Sequence, residues 1–314
     1  MNYAGKTFLV TGAAGFIGSK LAQRLVDSGA AVVTVDNLST GHEAVIPRGV
    51  EFIKGGCHEP ETIARLGGRK FDAIFHLAGQ SGGEPSFDDP VYDLQANVQS
   101  TLLLLKYCVD HSCGDFLYAS SMSVYGDWPD RPAREDEQVS PKSFYAVGKL
   151  ASEHYMRIYS KFGVRCTALR IFPTYGPGQN MENLRQGMVS IFLAQALQKG
   201  HIHVKGSPDR FRDLLFIDDC VDLFILCYEK KGEPSRVYNA APGKKIFFRE
   251  VVDGIIKRMP SPVTSEYKGA TPGDTFGIYA DVSKVKAEMG WTAKVYMDEG
   301  LDRFVRWALG KQAS

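Results

Sequence analysis

Cysteine is scarce and has no paired spacing: Cys57, Cys108, Cys113, Cys166, Cys220 and Cys227 are scattered through the chain without a CxxC. That pattern argues against a structural zinc site, and the expectation is reduced core thiols in a cytoplasmic protein. An excess of one charge is lacking too, with 37 Lys+Arg against 36 Asp+Glu and a net charge of +1. Neither a nucleic acid nor a membrane surface is therefore expected as a partner. No apolar run is long enough for a membrane span, because the best one, 214–228, is broken by Asp218, Asp219 and Asp222. The first strand begins almost at Met1, so no signal peptide is expected. Internal repeats and low-complexity tracts are absent as well. What 314 residues can do is bury a large core, in one enlarged domain or two closely joined ones.

What is present begins with TFLVTGAAGFIGSK, residues 7–20. A short apolar strand, a turn carrying Gly12, Gly15 and Gly18, and a helix over 16–27 form an anion site. The first glycine permits the tight turn, the second lets backbone N–H groups approach a pyrophosphate, and the third lets helix and strand pack closely. A second apolar run, 31–35, ends at Asp36, where such folds place a carboxylate that accepts from the adenosine ribose. That carboxylate would repel a 2′-phosphate, which favours NAD over NADP.

Strands are expected at 50–54, 71–77, 115–120 and 164–171, alternating with helices at 59–66, 90–111 and 144–162. This alternation argues for a doubly wound parallel α/β sheet of Rossmann type. Beyond Gly176-Pro177-Gly178 the texture changes. Helices at 184–199, 219–228, 248–259, 282–289 and 298–309 and a strand at 202–205 suggest a smaller lobe. The expected division is an NAD-binding domain over 1–175 and a substrate lobe over 176–314, with segments near 209–230 returning to the first. Asp218 and Asp219 are expected to cap the helix that follows them. His76, His201 and His203 are read as structural histidines.

Tyr145 and Lys149 stand four apart at the start of a helix, on one face. A nearby ammonium favours phenolate and should lower the tyrosine pKa from about 10, making a general base for a hydroxyl proton. The serines of ASSMSVYG, 119–126, fall at a strand's C-terminal end, where open sheets place their active sites.

Together these residues resemble the extended short-chain dehydrogenase/reductase family, and within it the nucleotide-sugar epimerases and dehydratases. The motifs TGAAGFIGS, VDNLSTG, HLAGQS, ANVQST, SSMSVYG, YxxxK, LRIFPTYGPGQ, RDLLFIDD, YNAAPG and PGDTFGIYADVSKVKAEMGW follow in the family's order over nearly the whole chain. The VDNLSTG form resembles the UDP-galactose 4-epimerases most. The resemblance implies that Gly12, Gly15, Phe16, Ile17 and Gly18 hold the pyrophosphate of NAD, and Asp36 and Asn37 its adenosine ribose. It gives the rest of the dinucleotide to Leu77, Ala78, Gly79, Gln80 and Asn97, with Phe172 near the nicotinamide. Ser121, Tyr145 and Lys149 would be catalytic, Ser121 also touching the substrate, and Lys149 also binding the nicotinamide ribose. Arg212 would bind the substrate diphosphate, and Ile278 falls where the epimerases gate sugar size. A homodimer pairing the helices at 90–111 and 144–162 is also implied.

In the similar dehydratases an Asp and a Glu follow the catalytic hydroxyl; here those positions are Met122 and Ser123. The expectation is therefore a nucleotide-sugar 4-epimerase, with a 4-keto-sugar reductase or a non-catalytic NAD(H)-binding regulator as alternatives. Four positions depart from the family pattern: Gly56 for an acidic adenine contact, Pro173 for an Asn, Thr271 for an Arg, and Glu84 for a small or basic residue.

Overall fold

A computed structural model describes residues 2–269 and 275–312; Thr271 lies outside them. The first half alternates as its apolar pattern dictates: β1 Thr7–Thr11, α1 Phe16–Asp27, β2 Ala31–Asp36, β3 Glu51–Lys54, α2 Pro60–Ala64 and β4 Ala73–His76. It continues with α3 Pro90–Leu94, α4 Ser100–Asp110, β5 Asp115–Ser121, α5 Phe144–Tyr159 and β6 Arg165–Ile171. Next come β7 Thr174–Tyr175, α6 Met188–Lys199, β8 His201–Lys205, β9 Phe211–Arg212, β10 Leu215–Phe216, α7 Ile217–Glu229 and β11 Ser235–Ala240. The last described elements are β12 Ile246–Phe247, α8 Phe248–Ile256, β13 Thr264–Lys268, α9 Ser283–Met289 and α10 Met297–Gln312.

The main sheet has seven strands in the order β11-β6-β5-β4-β1-β2-β3, every pair parallel. Successive side chains leave a strand on opposite faces, so Phe8 and Val10 enter one core and Leu9 the other. Phe8, Phe75, Phe224 and Tyr228 meet edge-on where α7 covers one face. The other face buries Ile74, Phe116 and Tyr118 with Leu104 and Leu105 of α4. The connections reverse between β1 and β4, and a crevice opens beyond the carboxyl ends of these strands.

Several expectations are corrected here. The seventh strand, β11, has no counterpart among the expected strands; its one apolar pair, Val237 and Tyr238, is too brief to show as a strand pattern. The helix expected over 90–111 is interrupted by a π-helical turn, Gln95–Gln99. Hydroxyls take the carbonyls loosened there: Ser100 donates to Ala96 O at 2.6 Å, and Thr101 and Ser152 to Asn97 O at 2.7 and 3.0 Å. The helix expected from 184 begins only at Met188, leaving 183–187 as a loop over the crevice. Asp218 and Asp219 sit inside the first turn of α7, whose N-cap is Phe216. Asp219 instead accepts from the Lys294 and Val295 amides at 3.0 and 2.9 Å, pinning the chain's last segment to α7.

Candidate active site

The crevice has a volume of about 620 Å³ and is lined from both halves of the chain. At its dinucleotide end the glycines are required by space. Gly12 has φ +78° and a Cβ there would lie 2.8 Å from Ala78 N; a Cβ on Gly18 would lie 2.1 Å from Gly12 O. Gly15 is the N-cap of α1 and offers no capping side chain, and the first turn holds no acidic residue, so the N–H groups at 16–18 face the crevice open to an anion. Asp36, buried at the tip of β2, accepts from Ala14 N at 2.9 Å and Leu38 N at 2.8 Å. Asn37 beside it donates to the Tyr92 hydroxyl at 3.2 Å. At position 56, where a Cβ would lie 2.5 Å from His58 Cε1 and would have to displace that ring, Glu59 takes the Gly56 amide at 2.8 Å.

Leu77, Ala78 and Gly79 form the wall after β4, and the Thr11 hydroxyl accepts from the Leu77 and Ala78 amides at 3.1 Å each. Gln80 and Asn97 do not join that wall. Asn97 lies buried behind it, donating to Gln80 O at 3.1 Å and Asp93 Oδ2 at 3.2 Å, and so fixes the loop's shape. His76 is structural, held by Thr11 at 2.8 Å and Ser100 at 3.2 Å.

At the reacting end, β5 delivers Ser121 and α5 delivers Tyr145 and Lys149 to one stretch of wall, with Phe172 and Pro173 beside them. Ser143 caps α5, accepting from Ala146 N at 3.2 Å, and so sets where the helix begins and places Tyr145 in its first turn. The Ser121 hydroxyl donates to Ser123 Oγ at 3.2 Å and accepts from Ser123 N at 3.1 Å. Lys149 is 4% exposed, and its ammonium faces the Tyr118 ring at 4.7 Å and the Tyr145 ring at 5.5 Å.

The electrostatics correct the expectation for the tyrosine. Burial pushes Tyr145 up to about 12, the Asp93 charge adds to that, and its hydrogen bond with Ser121 only partly offsets it. Burial likewise lowers Lys149 to about 8, against the pull of Asp93. Desolvation thus dominates at both groups, and a positive charge closer to the phenol is what would bring it toward phenolate. Asp93, which sequence reasoning missed, is raised to about 6 by burial and sits beneath Gly148, between Tyr145 and Lys149 on α5.

The remaining wall belongs to the second half and is basic. Arg212 lies buried, donating to Phe211 O at 2.7 Å and Thr275 O at 2.8 Å, with its guanidinium 5.5 Å over the Phe248 ring. Arg210 stacks on the same ring at 4.9 Å and donates to Lys205 O at 2.9 Å. Sequence reasoning missed Arg210 and Lys205, although RFR at 210–212 could have shown two arginines on one face of an extended segment. His203, read as structural, pairs with Glu266 at 2.9 Å but also reaches the crevice. Ile278 does not line it: it packs in a separate apolar cluster with Val124, Tyr125 and Phe172.

The dinucleotide end fits NAD: its glycines leave no room for a Cβ, and the Asp36 carboxylate closes the far side to a 2′-phosphate. The model of the "NAD dependent epimerase/dehydratase family" matches residues 8–241. A UDP-glucose 4-epimerase of Mycolicibacterium smegmatis is 33% identical over 310 residues, covering 96% of this chain and 98% of that protein. The crystal structure of a UDP-glucose 4-epimerase from Thermotoga maritima, with UDP-glucose, matches at a TM-score of 0.91 and 29% identity, covering 98% and 99% of the two chains. A Thermus thermophilus UDP-glucose 4-epimerase in complex with NAD matches at 0.89 and 30% identity, covering 97% and 99%. Fold, dinucleotide cradle and sequence agree: this chain belongs to the NAD-dependent epimerase/dehydratase family of nucleotide-sugar enzymes, the extended short-chain dehydrogenases/reductases.

Proposed function

We propose that this chain is a nucleotide-sugar 4-epimerase of the UDP-glucose/UDP-galactose type. The observation that carries the reading is one continuous crevice in which Ser121, Tyr145 and Lys149 lie between a dinucleotide cradle and a basic wall, with Met122 and Ser123 where a dehydratase needs carboxylates. When bound, NAD supplies the reversible hydride acceptor and a positive nicotinamide ring near the phenol. Tyr145 takes the proton of the sugar's C4 hydroxyl as the C4–H bond breaks, leaving a 4-ketone. Ser121 holds that oxygen, and Lys149 keeps the phenolate favourable. With the ketose turned over, the proton returns from Tyr145 to the same oxygen and C4 is inverted. Arg212, Arg210 and Lys205 hold the diphosphate, the arginines through guanidinium forks.

The two-lobe division is part of this reading, as is a homodimer. Val91 and Leu94 of α3 and Val147 and Ile158 of α5 are exposed apolar side chains on two helices packed together, a surface suited to a symmetry mate. A monomer mass by light scattering would refute the dimer. The buried thiols suit a reducing, cytoplasmic setting.

The test is proton NMR of the purified protein with a trace of NAD and, separately, UDP-glucose, UDP-galactose, their N-acetylamino and uronic forms, and GDP and TDP sugars. The C4 epimer should appear without accumulation of NADH. Consumption of NADH with a 4-keto sugar, and no epimerisation, would make the protein a reductase. Binding without any turnover would leave a regulator.

A further inference from the structure

Only two carboxylates line the crevice among the described residues, Asp36 and Glu84. Asp36 belongs to the dinucleotide end, tied to the Ala14 and Leu38 amides. Glu84 belongs elsewhere, and its backbone is held against the start of α5. A Cβ on Gly83 would lie 3.4 Å from Ser143 Oγ, the cap of that helix, and the Phe87 ring meets the Phe144 ring at 5.6 Å. Ser86 closes the turn from within, its hydroxyl donating to Gly83 O at 2.6 Å. Tyr145 is one residue beyond Phe144, so Glu84 is anchored a turn or less from the reacting end.

Its carboxylate reaches the other way, to 3.9 Å from Lys205 Nζ on β8. Lys205 is part of the basic wall, since its carbonyl accepts from Arg210 Nη1. Glu84 therefore bridges the interval between the proton-transfer pair and the diphosphate corner. A hexose with C4 at Tyr145 and its diphosphate at Arg212 must lay its ring across that interval. The pair is long for a salt bridge, with Glu84 34% and Lys205 54% exposed at the side chain, so the carboxylate keeps acceptor capacity for a ligand.

We propose that Glu84 is a specificity-determining residue that accepts hydrogen bonds from the hydroxyls of a neutral hexose and rejects a hexuronate. A uronate brings a second carboxylate into the crevice beside the first, and like charges so placed repel. Substitution of Glu84 by Gln removes that repulsion, keeps an acceptor for the hydroxyls, and frees Lys205 to pair with the uronate. The inference deepens the epimerase reading and rests on it for the direction in which the sugar lies.

The experiment measures binding and turnover separately, on NAD-loaded protein with UDP-glucose and UDP-glucuronate. Calorimetry should show wild-type protein favouring UDP-glucose by about 30-fold or more, and E84Q narrowing that ratio by about 10-fold, chiefly by tightening UDP-glucuronate. E84A should move the ratio the same way while weakening UDP-glucose, which separates charge from a disturbed loop. Equal wild-type affinities for the two ligands, or a ratio unchanged in both variants, would overturn the inference even where UDP-glucose is epimerised. A ratio that shifts as expected with no C4 inversion of either ligand would instead overturn the epimerase reading and leave the role of Glu84 standing.

Discussion

Replacing Arg170 with Met should be among the most damaging single changes in this chain, although Arg170 does not line the crevice. The guanidinium on β6 donates to Glu153 of α5 through Nη2 at 2.8 Å and Nε at 3.1 Å, with both side chains about 5–6% exposed. Ser120, next to Ser121, donates to the same carboxylate at 2.5 Å. Glu153 thus ties the helix of Tyr145 and Lys149 to β6 through Arg170 and to the strand of Ser121 through Ser120. Without Arg170 the Glu153 charge stays buried with one neutral donor, which costs about 3–5 kcal/mol. A chain of 314 residues has an unfolding entropy of about 0.66 kcal/mol/K, from about 2.1 cal/mol/K per residue. The melting temperature should therefore fall by about 5–8 °C, and the urea midpoint should move in step with an unchanged slope. The double variant R170M/E153M exchanges the whole pair for apolar volume and should recover most of the loss. A single variant costing less than about 1 kcal/mol, or a double variant less stable than the single, would refute the reasoning.

Three further outcomes are expected. G18A places a methyl group against Gly12 O, at 2.1 Å before relaxation, so α1 must move off the pyrophosphate; NAD-dependent turnover should drop about 100-fold, read by coupled assay, with the fold retained by circular dichroism. D36A removes both the ribose acceptor and the charge facing a 2′-phosphate, so the NAD over NADP affinity ratio should fall by about 10-fold in fluorescence titration; an unchanged ratio would show that Asp36 only braces the loop. D93N takes away the negative charge that raises Lys149, so burial should lower the ammonium below about 8. Activity that needs Lys149 charged is lost as pH rises through that pKa. The basic limb of the kcat/KM profile should thus move to lower pH, and wild type and variant should converge below about 6, where Asp93 is itself protonated. A limb that stays in place while the amplitude falls would make Asp93 merely structural.

Local chemistry made much of this readable. The helix after the glycine turn was expected at 16–27 and spans Phe16–Asp27, because a glycine-rich turn and an amphipathic repeat both act within a dozen residues. The same holds for Tyr145 and Lys149 on one face of α5, and for Asp36 at the tip of β2. Elements shaped by distant partners were harder to read. β11 carries too few consecutive apolar residues to announce itself, yet it completes the sheet by pairing with β6 across more than sixty residues of intervening chain. The π turn at Gln95–Gln99 arises where hydroxyls from α4 and α5 compete for its carbonyls. Asp219 reads as a cap by its position but bonds amides 75 and 76 residues away.

The sequence by itself determined the class of sheet, the dinucleotide cradle and the placing of Tyr145 and Lys149 on one face of a helix, since these follow from side-chain type at short spacing. Tertiary structure alone decided how those residues are tuned and what surrounds them. Only folding brings Asp93 beneath the Tyr145 and Lys149 pair, sets Glu84 across from Lys205, and withdraws Ile278 and Asn97 from the crevice wall. The tyrosine shows the reason most directly. Spacing placed a cation near it, whereas burial dominates its protonation, and burial depends on how much of the whole chain closes around the ring.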